Sequence, residues 1–145
     1  MADNEYAGSA MYLAWIHPGG TTTLQTEFRN FSWQPTLNFI DATAGADTYE
    51  RLLPSFGVGS DIPLEMLAQT GGTALAVALA RQTKGTLLYG PAGTANNEIA
   101  YQIPAYAQGP QWTQPFNDVV QMNCNFRQYA AESTGKWTSG AYAAF

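Results

Sequence analysis

Covalent or acid–base chemistry in this chain would have to be built from one histidine, one cysteine and eleven acids. His17 precedes Pro-Gly-Gly, the composition of a tight turn. Neither Cys124 nor a G-x-S-x-G elbow, which is absent, supplies it with a nucleophile, so it reads as a turn residue rather than a general base. Cys124 stands alone, which excludes an internal disulfide and a multi-cysteine zinc site, and it reads as a small apolar residue on the inner face of a strand. Asp41, Asp47, Glu50 and Asp61 border one long loop, but their spacing matches no EF-hand, and Asx turns and caps account for them better than Ca²⁺ does. The glycine-rich GPAGTANNE (90–98) lacks the Lys-Ser/Thr of a phosphate loop and the helix that follows one. Glu65 and Glu98 are the strand-borne glutamates that a glycosidase-like pair would use, and that chemistry requires them to face each other across a cleft. The residues therefore predict no catalytic group, no cofactor and no metal.

The elements that would position these side chains are short and densely punctuated by 14 glycines and 8 prolines, which favours a mainly β architecture. Met11–Ile16 reads as a first strand, 17–20 as a turn, and Thr21–Trp33 as a Thr- and aromatic-rich second strand, bulged near Asn30 and paired with the first as a hairpin. Trp15, Phe28, Phe31, Trp33 and Phe39 read as core. Thr36–Asp41 is a further strand, followed by an inter-strand loop over 42–60, long enough to suggest an interaction element. In Asp61–Leu67, Ile62, Leu64 and Met66 alternate with polar positions, and Pro63 suggests a place near a sheet edge. The one helix is expected at about 73–82, with Thr73 as its N-cap and Leu75 and Leu79 on one face. Thr86–Tyr89 and Glu98–Ala107 are strands joined by a turn at 90–97, with Ile99, Tyr101 and Ile103 on one face of the second. A link containing Pro110, Trp112 and Pro115 leads to the most regular strand, Val120–Phe126. There Val120, Met122, Cys124 and Phe126 alternate with Gln121, Asn123 and Asn125. A low-charge tail, 130–145, is expected to dock on a neighbour or lie over the body.

The 145 residues suit a single domain, 1–145. At 15.7 kDa, size scaling gives a folded surface of roughly 7,300 Å². Only 12% of residues are charged, against roughly 25% in an average soluble domain, while 46% are hydrophobic, which excludes disorder. The net charge is −5, and the six cations are scattered (Lys84, Lys136, Arg29, Arg51, Arg81, Arg127), so specific binding of nucleic acid through its phosphates is not expected. The acidic N-terminal segment does not resemble a signal peptide, and no apolar run is long enough to span a membrane as a helix, which predicts an intracellularly made protein without a membrane partner. Two lysines are few with which to protect open sheet edges, so the edges are expected to serve in assembly.

The order of segments resembles the major tail tube proteins of long-tailed bacteriophages. The match runs from MYLAWI through FIDATAGADTYERLLPSFGVGSDIPLEML, an Ala/Leu helix, YGPAGT and EIAYQIPAYAQ to DVVQMNCNFRQ, covering about residues 6–142. The resemblance implies a β-sandwich or barrel-like sandwich flanked by one helix. It further implies self-assembly into homo-hexameric rings stacked as a tube in the virion tail, alongside other tail proteins and with DNA passing through the lumen without specific binding. By the same resemblance Tyr49, Arg51, Leu53 and Phe56 would reach an adjacent subunit, and Gln121, Asn123 and Asn125 would line the lumen. The competing readings are a head decoration or head–tail connector protein and a carbohydrate-binding β-sandwich with Trp15, Trp33, Trp112 and Trp137 as sugar platforms.

Overall fold

The structure, a computed structural model, describes residues 7–24, 28–58, 61–68 and 73–145, with side chains at 9, 38 and 55–58 outside the description. After a 3-10 turn at Gly8–Ala10, the strands are β1 (Tyr12–His17), β2 (Gly20–Thr23), β3 (Phe28–Phe31), β4 (Thr36–Asp41), β5 (Leu52–Val58) and β6 (Asp61–Met66). Helix α1 (Thr73–Ala78) follows, and then β7 (Lys84–Gly90), β8 (Ile99–Thr113), β9 (Gln121–Gln128), β10 (Ser133–Thr138) and β11 (Ala141–Ala144). The protein is thus mainly β with one short helix, as its sequence predicts. The main antiparallel sheet runs β2-β1-β7-β8-β9-β6-β3, β10 and β11 branch from β8, and β4 and β5 form a separate two-stranded sheet.

The sheet curls round one core. Leu13, Trp15, Leu87, Ile103, Ala105, Met122, Cys124, Phe126, Ile62, Leu64 and Met66 all belong to a single buried cluster. In a flat sheet β1 and β9 would stand about 14 Å apart, yet the Trp15 and Phe126 rings meet at 4.9 Å, and Phe31 of β3 meets Tyr89 of β7 at 4.8 Å. The two halves therefore face each other as in a sandwich. Helix α1 closes one opening: Ala78 and Leu79 are buried, and the Trp15 indole donates to the Ala78 carbonyl at 2.8 Å. That hydrogen bond lets a tryptophan enter an apolar core without leaving its N–H unpaired.

Several expectations are corrected. The segment 21–33 is two strands, because β2 pairs with β1 whereas β3 pairs with β6 at the far end of the sheet; the bulge near Asn30 is present in the β3–β6 pair. Strand β6 is, as expected, near a sheet edge, between β9 and the terminal strand β3, with Pro63 opposite Asn125. The helix stops at Ala78, short of residue 82, while the cap expected at Thr73 adjoins residues outside the description; beyond the helix Gln82 takes a left-handed backbone (φ 71°) and donates its N–H to Ala107. Strand β8 does not end at Ala107. It passes a bulge between Ala107 and Pro110, where Gly109 has φ 96°, and pairs with β9 as far as Thr113, while its first residues pair with β10. Ile99 is exposed although Ile103 is buried. The tail is a hairpin on the body: β10 pairs with β8 and β11, and Trp137 is buried with its ring edge-on to Tyr12 at 5.2 Å.

Candidate functional site

Acid–base chemistry finds no setting among the described residues. His17 ends β1 in the β1–β2 turn, where Nδ1 accepts from the Gly19 N–H at 3.2 Å and Nε2 lies 2.9 Å from the Thr22 hydroxyl. Cys124 is fully buried, and burial pushes its thiol up to about 12. Glu65 is on the exposed face of β6 and Glu98 in the turn before β8, with β9 lying between those two strands. Among the described residues no three His, Cys, Asp or Glu side chains converge as a metal site. The tryptophans form no sugar platform, because Trp15 and Trp137 are buried in separate places and only Trp112 is well exposed.

Two other features stand out. The first is an arm. Residues 42–60 are not one loop, because 52–58 form β5 and pair with β4: Ile40 is opposite Leu53, Phe39 opposite Pro54 and Leu37 opposite Gly57. Pro54 is tolerated in a strand because this ribbon has free outer edges that need no N–H. The intervening turn is tied by its own polar groups. Asp41 accepts from the Thr43 N–H at 2.9 Å, Asp47 accepts from the Ala44 N–H at 2.8 Å and pairs with the Arg51 guanidinium at 3.6 Å, and Thr43 Oγ1 accepts from the Arg51 N–H at 3.0 Å. Hydrogen bonds from the Thr43 side chain and backbone hold the Asp41 carboxyl below its ordinary value. These acids serve the turn, as their types predict.

The arm pairs with no strand of the main sheet and leaves apolar side chains in water: Tyr49 is 84%, Phe39 57% and Leu53 50% exposed, with Leu37, Ile40 and Leu52 also exposed. Of the four loop residues singled out from the sequence, Tyr49 and Arg51 lie on the turn and Leu53 on β5. Phe56 also lies on β5, its side chain outside the description. Leu37, Phe39 and Ile40 of β4 were missed. Phe39, expected in the core, is corrected to the arm's surface; the available signal was that apolar residues occupy both faces of β4.

The second feature is the outer face of β9. Met122, Cys124, Phe126 and Gln128 point inward, so Gln121, Asn123 and Asn125 share the opposite face, the first two half-buried and Asn125 exposed. Gln111 and Thr113 of β8 stand directly opposite Asn123 and Gln121. This is a neutral amide surface, its nearest charges being the Arg127–Asp61 pair at 3.2 Å and Glu65. At the far end of the β8–β9 hairpin, opposite the arm's roots, the turn after β8 carries Phe116, 98% exposed, and the exposed Val119.

No protein-family model and no curated protein matches the sequence. Solved structures do. A chain from the tail of an empty gene transfer agent (GTA) particle, refined with C6 symmetry, superposes with a TM-score of 0.68 at 12% identity, covering 93% of this chain and 100% of the other. One from the sheath–tube complex of the extracellular contractile injection system PVC in its extended state gives 0.66 at 13%, covering 93% and 94%. The SPP1 tail tube gives 0.66 at 11%, covering 93% and 82%. The chain has the fold found in these tail and tube assemblies.

Proposed function

We propose that this protein is a non-enzymatic structural subunit of a phage tail tube, which assembles with copies of itself into stacked six-membered rings and, with other tail proteins, forms the conduit for genome delivery in the virion. The observation that carries the reading is the arm: a ribbon with apolar side chains in water, on a fold that recurs in tail and tube assemblies. Exposed apolar surface of this kind marks a protein–protein contact. Tyr49, Leu53 and Phe39 reach a neighbouring subunit, with Arg51 bracing the turn and Phe56 on the same strand. The Phe116 turn, at the opposite end of the β9 ladder, is suited to a head-to-tail contact, which generates rings or stacks where a two-fold contact would stop at a dimer.

Gln121, Asn123 and Asn125 line the lumen in this reading. A wall of neutral amides, whose neighbouring cation Arg127 is already paired with Asp61, offers DNA little to neutralise its phosphates, so the polyanion releases few counterions on contact and slides past. The protein is made in the host bacterial cytoplasm and ends in the tail. Sedimentation velocity with negative-stain microscopy of the purified chain tests the reading: concentration-dependent rings or tubes support it, and a monomer at every concentration overturns it.

A further inference from the structure

We infer that Arg127 and Gln128, consecutive residues at the end of β9, clamp both roots of the arm and set the direction in which it leaves the body. The chain enters the arm from Trp33 and returns to the body at Asp61. The Trp33 indole donates to Gln128 Oε1 at 3.2 Å, and the Arg127 guanidinium meets Asp61 Oδ1 at 3.2 Å, where Gln108 Nε2 also donates at 3.2 Å. Neighbouring residues of a strand point to opposite faces. One root is therefore held from the buried side and the other from the solvent side, an arrangement that resists rocking in either direction.

Gln128 is the buried polar side chain among the described residues, and its amide is fully used. Its Oε1 accepts from Trp33, while its Nε2 donates to the Ala130 carbonyl at 2.9 Å and to Glu132 Oε2 at 2.8 Å. Trp33 is braced from another side by Tyr101, edge-on at 5.0 Å. A buried amide is costly without partners, and those at position 128 join the arm's first root to the turn before β10. The Asp61–Arg127 pair is half exposed and contributes little alone, so Gln128 is the principal positioning residue. The clamp stands on side-chain geometry; its importance for ring assembly rests on the tube reading above.

The test is a distance measurement in the full chain. Cysteines introduced by Gly45→Cys at the arm's turn, where a Cβ meets open space, and by Glu65→Cys on β6 carry spin labels, while buried Cys124 stays unlabelled. Labelled chains are diluted into unlabelled protein, so that electron–electron resonance reads distances within one chain. A single narrow distribution is expected with no further change, a broad one with Gln128→Ala, and a smaller broadening with Asp61→Asn. Amide protection of β1, β7 and β8 should stay unchanged in both. The exchange Q128E/E132Q restores an acceptor for Trp33 and a donor at position 132, and should narrow the distribution again. Should Gln128→Ala not fold, Gln128→Met, which keeps the volume and removes the amide, carries the same expectation together with Asp61→Asn. A distribution that stays narrow in the folded variants overturns the clamp. Absence of tubes from unaltered protein would overturn the tube reading alone, since the distances are measured in the free chain as readily.

Discussion

Phe39→Ser separates what the arm does for the fold from what it does between copies. A fully buried phenylalanine removes about 200 Å² from water, and Phe39 is 57% exposed in the isolated chain, which leaves roughly 110 Å² for a neighbour to cover. At about 25 cal/mol per Å² that is about 3 kcal/mol per subunit if the covering is complete. The critical concentration for assembly should therefore rise by about a hundredfold, at 1.4 kcal/mol per decade. Phe39 belongs to no part of the buried cluster, so the body of the isolated chain should keep its unfolding free energy to within about 0.5 kcal/mol. Pelleting assays across a dilution series read the first quantity and urea unfolding of dilute protein reads the second. An unchanged critical concentration would refute the reasoning, because it would mean that Phe39, an exposed aromatic on the arm's first strand, stays in water after assembly.

Other expectations concern the body. Phe126→Ala removes a fully buried ring packed against Trp15 and should lower stability by about 3–5 kcal/mol in urea unfolding. In Gly90→Ala the new Cβ would stand 2.7 Å from both the Trp137 indole nitrogen and the Gly93 carbonyl, so Trp137 must shift, and a red-shifted tryptophan emission should report it. For Cys124, burial raises the folded thiol from 9.0 to about 12, so the folded state holds the proton more tightly than the unfolded one. This contribution to stability is complete below pH 9 and is lost as pH rises from 9 through 12. Unfolding at several alkaline pH values tests the slope, and the thiol should react with a disulfide reagent only as fast as the chain opens.

Legibility in the sequence followed burial. Strands β6 and β9 announce themselves because each has one face in the core and one in water, so apolar residues fall on every second position. Strand β5 opens with Leu52 and Leu53 side by side, both exposed, and contains Pro54 and Gly57, so neither period nor composition marks it, and residues 42–60 read as loop. The continuation of β8 was hidden by Gly109 and Pro110, which are breakers in most settings and here lie in a bulge within the β8–β9 ladder, beyond which the pairing continues to Thr113. Strands β10 and β11 are rich in small residues, and Gly135 lies under the Tyr142 ring, a packing arrangement visible only once the hairpin is formed. The polar face of β9 was legible from alternation alone. The apolar face of β4 was not, because hydrophobic residues normally imply a core and Phe39 has none.

The most direct test of the account is a helical reconstruction of the assembled protein by electron cryomicroscopy. The account predicts six-fold rings stacked into a hollow tube, with Gln121, Asn123 and Asn125 facing the channel and Phe39, Tyr49 and Leu53 seated on an adjacent subunit. A solid or non-annular assembly would contradict it, and so would a tube whose channel is lined by another face while the arm stays in solvent.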